Sequence, residues 1–240
     1  MSITLKQTFG NFRAGGKGEE SHWLSVSDLM AGLMMVFLFI AIVLMRSALL
    51  ETERIREVAV TYQDTMVAIY DSLMDEFAND LELWDASIDE ESLTFNFQSP
   101  DVLFASGSSE IQPLFQEILN DFFPRYINVL QRFRSAIDEV RIEGHTSSLW
   151  AGAGSLSEAY FLNMDLSQRR TNEVLRYIYD LPSSQVYQDW MKRNFAAVGF
   201  SSGRTILFDD GSEDGDRSRR VGFRIITNAD VQIRRILETQ

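Results

Sequence analysis

The feature that most constrains this chain is an apolar run close to its beginning. Every residue in 29–45 is apolar or glycine, and a helix over 23–46 would be about 36 Å long at ~1.5 Å per residue. That length crosses the hydrocarbon core of a bilayer, so the run predicts a transmembrane helix rather than a buried core helix. The segment that follows, 46–51, offers no typical signal-peptide cleavage site. We therefore expect a permanent membrane anchor.

The charges beside this helix leave its orientation undecided. Basic residues are equally frequent before and after it: Lys6, Arg13 and Lys17 against Arg46, Arg54 and Arg56. The positive-inside rule gives no preference when the two sides are equal. The topology must therefore be inferred from whatever follows the helix.

One carboxylate, Asp28, lies inside the predicted helix, about one and a half turns after Trp23. An ionised side chain at that depth is costly, and such residues are usually functional. A carboxyl group can bind and release a proton as its surroundings change, so Asp28 is predicted to carry an ion. Ala31 and Gly32 follow on the same helical face and would let a partner helix approach. The alternative is that Asp28 caps the helix at headgroup level.

Composition argues against several classes of protein. The net charge is −13, which disfavours a nucleic-acid partner. There is no cysteine for a disulfide, a zinc site or thiol catalysis, and only His22 and His145 could supply an imidazole. No cofactor and no enzymatic activity are therefore expected.

An apolar stripe runs along the segment after the membrane, 47–90, which is predicted to be a helical linker. Its members recur at spacings of three and four: Ile55, Val58, Tyr62, Met66, Ile69, Leu73 and Phe77. The stripe favours pairing between two copies of the chain. The alternative is that it packs onto the chain's own C-terminal domain.

The segment 91–230 alternates between periods of two and periods near 3.6. Strand-like spacing occurs around Phe95, Ile142, 195–199 and 221–226, with helical spacing in between. The order β-α-β-α-β-β predicts a layered α/β sandwich with a mixed sheet. The remaining segments, 1–22 and 231–240, are predicted to be tails.

Four short segments of this domain resemble the OmpA-like peptidoglycan-binding domain. They occur in the order and spacing of that family: 104–111 (Phe-Ala-Ser-Gly-Ser-Ser-Glu-Ile), 141–146 (Arg-Ile-Glu-Gly-His-Thr), 163–170 (Asn-Met-Asp-Leu-Ser-Gln-Arg-Arg) and 219–221 (Arg-Arg-Val). The resemblance covers roughly 93–227. It implies that the domain binds peptidoglycan and therefore lies in the periplasm, with the N-terminus in the cytoplasm.

In that family an aspartate of the turn and an arginine of the helix hold the diaminopimelate of the wall peptide. A carboxylate and a guanidinium suit a ligand that carries both charges. The resemblance implies that the site comprises Asn163, Leu166, Arg170, His145, Thr146 and Ser147. The arginine is kept as Arg170, but the position of the aspartate is Ser147. Wall binding is therefore expected to be weaker or differently arranged, or to have been lost. His145 is expected to stabilise the turn rather than to contact the ligand.

The membrane helix resembles that of the flagellar stator subunit MotB. The run 28–38 (Asp-Leu-Met-Ala-Gly-Leu-Met-Met-Val-Phe-Leu), with Trp23 before it, is similar to the start of the MotB helix. The sequence of this run and the compact linker resemble more closely the ZorB subunits of Zorya anti-phage defence. The resemblance implies a homodimer inside a MotA- or ZorA-like ring of five multi-span subunits, driven by H⁺ or Na⁺.

Three functions compete at this point. The first is an ion-conducting stator of the bacterial inner membrane, of the defence or the flagellar type, anchored to the wall. The second is a passive tether between membrane and wall, which would not need Asp28. The third, a peptidoglycan hydrolase, lacks a metal site and a pair of catalytic carboxylates.

An acidic loop after the last predicted helix has the first half of a calcium-binding pattern. Asp210, Ser212 and Asp214 have the required spacing, but the glutamate expected at the twelfth position is Val221. The loop is therefore expected to be solvated and to hold no metal.

Overall fold

The computed structural model describes residues 19–98, 100–105 and 107–228 of the chain. The chain divides into two compact units, 1–56 and 57–240. Helix α1, Glu19–Phe77, begins four residues before the predicted start of the membrane helix. Of the predicted N-terminal tail, residues 1–18 lie outside the described residues and residues 19–22 belong to α1. The predicted C-terminal tail, 231–240, lies wholly outside them.

The first unit contains the part of α1 that can span a membrane. The segment Val26–Glu53 is 28 residues long and apolar enough to cross a bilayer, and none of it is buried within the chain. Large apolar side chains such as Leu29, Met34 and Phe39 are exposed on it. Such a surface is stable only in an apolar environment, which agrees with the predicted membrane anchor.

The second unit is built on a five-stranded mixed sheet. The strands are β1 (Ala86–Asp89), β2 (Thr94–Phe97), β3 (Ile137–His145), β4 (Phe195–Gly199) and β5 (Arg220–Thr227). Their spatial order is β1-β2-β5-β3-β4. β3 and β4 are parallel, and the other neighbours are antiparallel. In the centre of the sheet Ile142 lies opposite Phe223.

The long helices pack against one face of this sheet. In chain order the helices after α1 are α2 (Pro100–Leu103), α3 (Pro113–Arg132), α4 (Leu156–Asp180), a 3-10 turn (Pro182–Tyr187), α5 (Gln188–Asn194) and α6 (Gly215–Ser218). Pro113 occupies the first turn of α3, where its missing N–H is not needed. The Ser155 side chain caps α4 by accepting a hydrogen bond from the Glu158 N–H at 3.1 Å. The mixed sheet and its helices confirm the predicted α/β fold class, although the predicted order β-α-β-α-β-β lacks the first strand, β1.

Aromatic rings fill the space between the sheet and the helices. Phe122 of α3 lies at the centre, with its ring centroid 4.7 Å from that of Phe95, 5.0 Å from that of Phe97 and 5.1 Å from that of Phe223. All four side chains are fully buried. Tilted and edge-to-face rings of this kind contribute stability beyond the area that they bury.

The apolar stripe of α1 contributes to this same core, which corrects one expectation. Met66, Ile69, Leu73 and Phe77 are buried against the domain of their own chain, so pairing between two copies is the wrong interpretation for these four residues. The side chains of Ile55 and Val58 lie outside the described residues. Phe77, for example, packs against Phe95 and Phe122, and its ring centroid lies 5.3 Å from each of theirs.

The domain also begins earlier than the predicted boundary at residue 91. β1 pairs with β2 along its whole length, and Asp85 before it accepts a hydrogen bond from the Gln98 N–H at 2.9 Å. Arg125 of α3 forms ion pairs with Glu76 of α1 at 2.7 Å and with Asp80 at 2.8 Å. The end of the predicted linker is therefore part of the folded domain.

Candidate functional site

The turn after β3 is held in place by α4. Asn163 donates hydrogen bonds through Nδ2 to the carbonyl oxygens of Ser147 at 3.1 Å and Leu149 at 3.3 Å. On the other side of the turn, the Thr146 N–H donates to the Ser201 carbonyl at 2.9 Å. Asn163 is buried, so its amide positions the turn rather than projecting into solvent.

Arg170 joins α4 to the loop between α2 and α3. Its Nε donates to the carbonyl oxygen of Ser108 at 2.8 Å and its Nη2 donates to that of Ala105 at 3.3 Å. Its guanidinium carbon lies 4.8 Å from the ring centroid of Phe104. With 9% of its surface exposed, Arg170 is held in a fixed position and stabilises the loop that it contacts.

These segments surround a cavity of about 300 Å³, which we call the turn cavity. Its lining comprises Gly107, Thr146, Ser147, Leu149, Trp150, Ala151, Asn163, Leu166, Arg170 and Arg219. The structure thus brings together five of the six residues that the resemblance implied. The sixth, His145, does not line the cavity. A larger, more open depression of about 570 Å³ lies between the 108–111 part of the first segment and Glu173 and Arg176 of α4, and it contains none of the six implied residues.

Five lining residues are absent from the predicted site: Gly107, Leu149, Trp150, Ala151 and Arg219. Arg219 stands in the Arg-Arg-Val segment, so the motif itself contained the signal. Trp150 follows the turn in a loop that shows no periodicity, and its sequence context gives no comparable signal.

His145 belongs to a polar cluster on the sheet face that the helices leave open. Its Nε2 lies 3.3 Å from Oε2 of Glu143, and its ring stacks on Phe200 with the centroids 5.3 Å apart. Burial lowers the pKa of His145 below 6.5, and the charge of Arg220 acts in the same direction. His145 is therefore neutral at pH 7, and it stabilises the end of β3 rather than lining the turn cavity.

Glu143 is the buried carboxylate of this cluster. Burial acts to raise its pKa, but the hydrogen bond from His145 and the charges of Arg204 and Arg224 keep the pKa below 4.5. Arg204 approaches Glu143 at 3.2 Å. A buried carboxylate that stays ionised needs such partners, because an unpaired one would be costly.

The acidic loop before β5 uses its carboxylates within the protein. Glu213 accepts hydrogen bonds from the N–H of Ser148 at 2.9 Å and from its hydroxyl group. Asp214 caps α6 and forms an ion pair with Arg217 at 2.6 Å. Within the described residues no group of three or more histidines or acidic residues is arranged to hold a metal ion.

Asp28 lies in α1 as the third residue of the segment that can span a membrane. It is exposed on the helix surface, as are Ala31 and Gly32 on the next turn. A Cβ atom built on Gly32 would meet nothing within 4 Å. This surface is open to a neighbouring helix, and the predicted role of Asp28 as an ion carrier stays a prediction.

The fold and the turn cavity define a class of protein, an OmpA-like domain preceded by an apolar helix that can span a membrane. Residues 103–220 match the model of the OmpA family.

The chain belongs to the ZorB family, because it is 53% identical over 220 residues to the Zorya protein ZorB of Escherichia coli. That alignment covers 92% of this chain and 94% of the relative.

Solved structures with similarity to the chain include two MotB-type proteins. A MotB-like protein from Desulfovibrio vulgaris is 23% identical with a TM-score of 0.49, over 71% of this chain and 94% of that one. The periplasmic domain of Helicobacter pylori MotB is 16% identical with a TM-score of 0.41, over 64% of this chain and 89% of that one. Family membership follows from the identity to ZorB and not from these structures.

Proposed function

We propose that this chain is the wall-anchored stator subunit of an ion-driven motor in the bacterial inner membrane, acting in Zorya antiviral defence. The observation that carries the proposal is Asp28, an acid on the exposed surface of a helix that can span a membrane. A tether needs only the apolar surface of such a helix. A carboxylate there adds a large cost, which an ion-carrying role explains.

The proposed partner is a ring of MotA- or ZorA-like multi-span subunits, five in number by analogy with the family, around two copies of this chain. Ala31 and Gly32 support close packing of helices, because small side chains let two backbones approach each other. Since Met66, Ile69, Leu73 and Phe77 are buried in their own domain, dimer contacts must use other surfaces. The transported ion is H⁺ or Na⁺, and no bound cofactor is needed.

The ion flow supplies the energy for rotation of the ring. Each elementary charge that crosses the membrane is worth about 2.3 kcal/mol per 100 mV. Conversion of that energy into rotation requires one part of the motor to be held still. The OmpA-like domain is proposed to do this in the periplasm by binding peptidoglycan at the turn cavity, which leaves the N-terminus in the cytoplasm.

The test is the substitution Asp28→Asn in the complete complex within cells. Asparagine keeps the shape and hydrogen bonding of the side chain but cannot gain and lose a proton. We expect normal membrane abundance and co-purification with the multi-span partner, together with loss of phage resistance and of ion flux. Asp28→Glu, which keeps the acid, should retain part of the activity.

A control substitution and one excluded outcome make this test decisive. Ser27→Ala, one residue away, is the matched control and should leave phage resistance unchanged. A tether predicts full activity for Asp28→Asn, because it makes no use of the acid; the alternative that Asp28 caps the helix is excluded, since α1 begins at Glu19. Full resistance at normal abundance would thus disprove the ion-carrier role.

A further inference from the structure

The turn cavity has an unusual balance of charges. It is lined by two arginines, Arg170 and Arg219, and none of the ten lining residues carries a carboxylate. The family pattern would place an acid at Ser147. A ligand with both a carboxylate and an amine would therefore find partners for only the first group.

Two buried donors on residues that line this cavity lack partners within the described residues. Thr146 is 4% exposed, and its Oγ1 has no hydrogen-bond partner in the described part of the chain. The same holds for Nε of Arg219, although its Nη2 pairs with Asp216 at 2.5 Å. Buried polar groups without partners are rare in proteins and call for an explanation such as a bound ligand. A hydroxyl and a guanidinium N–H together suit an anionic oxygen.

The acids nearest to the turn cannot replace the missing aspartate. Both carboxylate oxygens of Glu213 accept hydrogen bonds from Ser148. Those of Asp214 are occupied by the N–H and Nε of Arg217, at 3.0 and 2.6 Å. Recruitment of either acid to an amine would break contacts that hold the loop. None of the described residues that line the cavity therefore offers a carboxylate to a cation, and Asp216 beside it is paired with Arg219.

We propose that the turn cavity recognises a carboxylate of the wall peptide through Arg219 and Thr146 and makes no ion pair with the amine of the same residue. This inference rests on the proposed binding of peptidoglycan. It adds which chemical form of the wall peptide the cavity accepts. A stem peptide whose side-chain amine is acylated, as in a cross-link, is accepted as readily as a free one. The domain can then grip cross-linked wall.

The experiment compares three synthetic stem peptides that end in diaminopimelate. The first has a free amine and a free side-chain carboxylate, the second has its side-chain amine acetylated, and the third has that carboxylate amidated. Binding to the full-length protein in detergent is measured by calorimetry. We expect acetylation to change the Kd less than about threefold, and amidation to weaken binding about tenfold or more, because only amidation removes a charge-assisted contact.

Variants assign the contact to its residues. Arg219→Gln and Thr146→Val should each reduce the difference between the first and third peptides. Arg169→Gln is the control, since Arg169 is an exposed neighbour on α4 that pairs with Asp165 and does not line the cavity. Ser147→Asp should restore the missing acid, so that this variant binds the free amine more tightly than the acetylated one.

The possible failures are distinguishable. If acetylation weakens binding as much as amidation does, the carboxylate-only mode is overturned while wall binding stands. If none of the three peptides binds and the protein also fails to sediment with purified sacculi, both this inference and the proposed wall contact are overturned.

Discussion

Gly144, the second-to-last residue of β3, lies so close to α4 that a Cβ atom added to it would be 2.8 Å from the carbonyl oxygen of Ser167. It would also be 2.7 Å from Cγ2 of Thr171. Gly144 of the 141–146 segment and Ser167 of the 163–170 segment thus form one close contact between β3 and α4. This contact brings Asn163 and Arg170 to the turn cavity.

The substitution Gly144→Ala should therefore destabilise the domain by about 1–3 kcal/mol, because the obstructing atom is backbone and cannot rotate away. Urea unfolding followed by tryptophan fluorescence measures the change. Gly215→Ala is the matched control, since a Cβ there would meet only Cβ of Ser147, at 3.8 Å. Equal stability of the two variants would show that α4 can shift away from β3.

The burial of the α1 stripe gives a second prediction. Phe77→Ala should reduce the free energy of unfolding by about 3–5 kcal/mol, because the ring is fully buried among Phe95, Phe122 and Trp84. Val67→Ala on the same helix is the control, because Val67 is 43% exposed and should lose much less. If the Phe77→Ala variant unfolded like the wild type but lost self-association, the stripe would be a dimer contact after all.

The sequence predicted the fold well because its signals there are local. Strands such as 221–226 and the long apolar faces of α3 and α4 follow from spacing alone. The stripe on α1 was harder, because periodicity identifies a buried face and not the surface that covers it. Only the positions of Phe95 and Phe122 decide that Phe77 packs within its own chain.

The site shows the same division between local and long-range information. Arg170 lines the turn cavity, but its bonds to the carbonyls of Ala105 and Ser108 involve residues 62 or more positions away in the chain. Arg219 approaches the turn through the pairing of β5 with β3. Register between distant strands cannot be read from the spacing within either one.

The polar cluster around His145 predicts a pH dependence of stability. Since burial holds the pKa of folded His145 below its ordinary value of 6.5, the unfolded chain binds a proton more readily just below that pH. Stability is therefore fully present above pH 6.5 and decreases as the pH falls through the folded pKa, by up to about 1.4 kcal/mol per pH unit. Glu143 stays ionised in this range, because its pKa lies below 4.5.

Thermal unfolding between pH 5 and pH 7.5 tests this dependence. His145→Gln should flatten the decrease below pH 6.5, and His22→Gln, which changes the chain's other histidine, should leave it as in the wild type. If the slope is the same in all three proteins, His145 is not the group that titrates.

The last prediction separates the two arginines of the turn cavity. Arg170→Ala should weaken sedimentation with sacculi and also lower stability by about 1–3 kcal/mol, because the carbonyl oxygens of Ser108 and Ala105 lose their donors. Arg219→Gln should weaken sedimentation while stability changes by less than about 1 kcal/mol, since the side chain of Arg219 is 37% exposed and its ion pair with Asp216 is near the surface. Both quantities are measured on the same purified proteins, with Arg169→Gln as the control for loss of one positive charge on the domain. If Arg170→Ala lowers stability but leaves sedimentation unchanged, Arg170 serves only to hold Ala105 and Ser108 in place, and the wall contact belongs to Arg219 and Thr146.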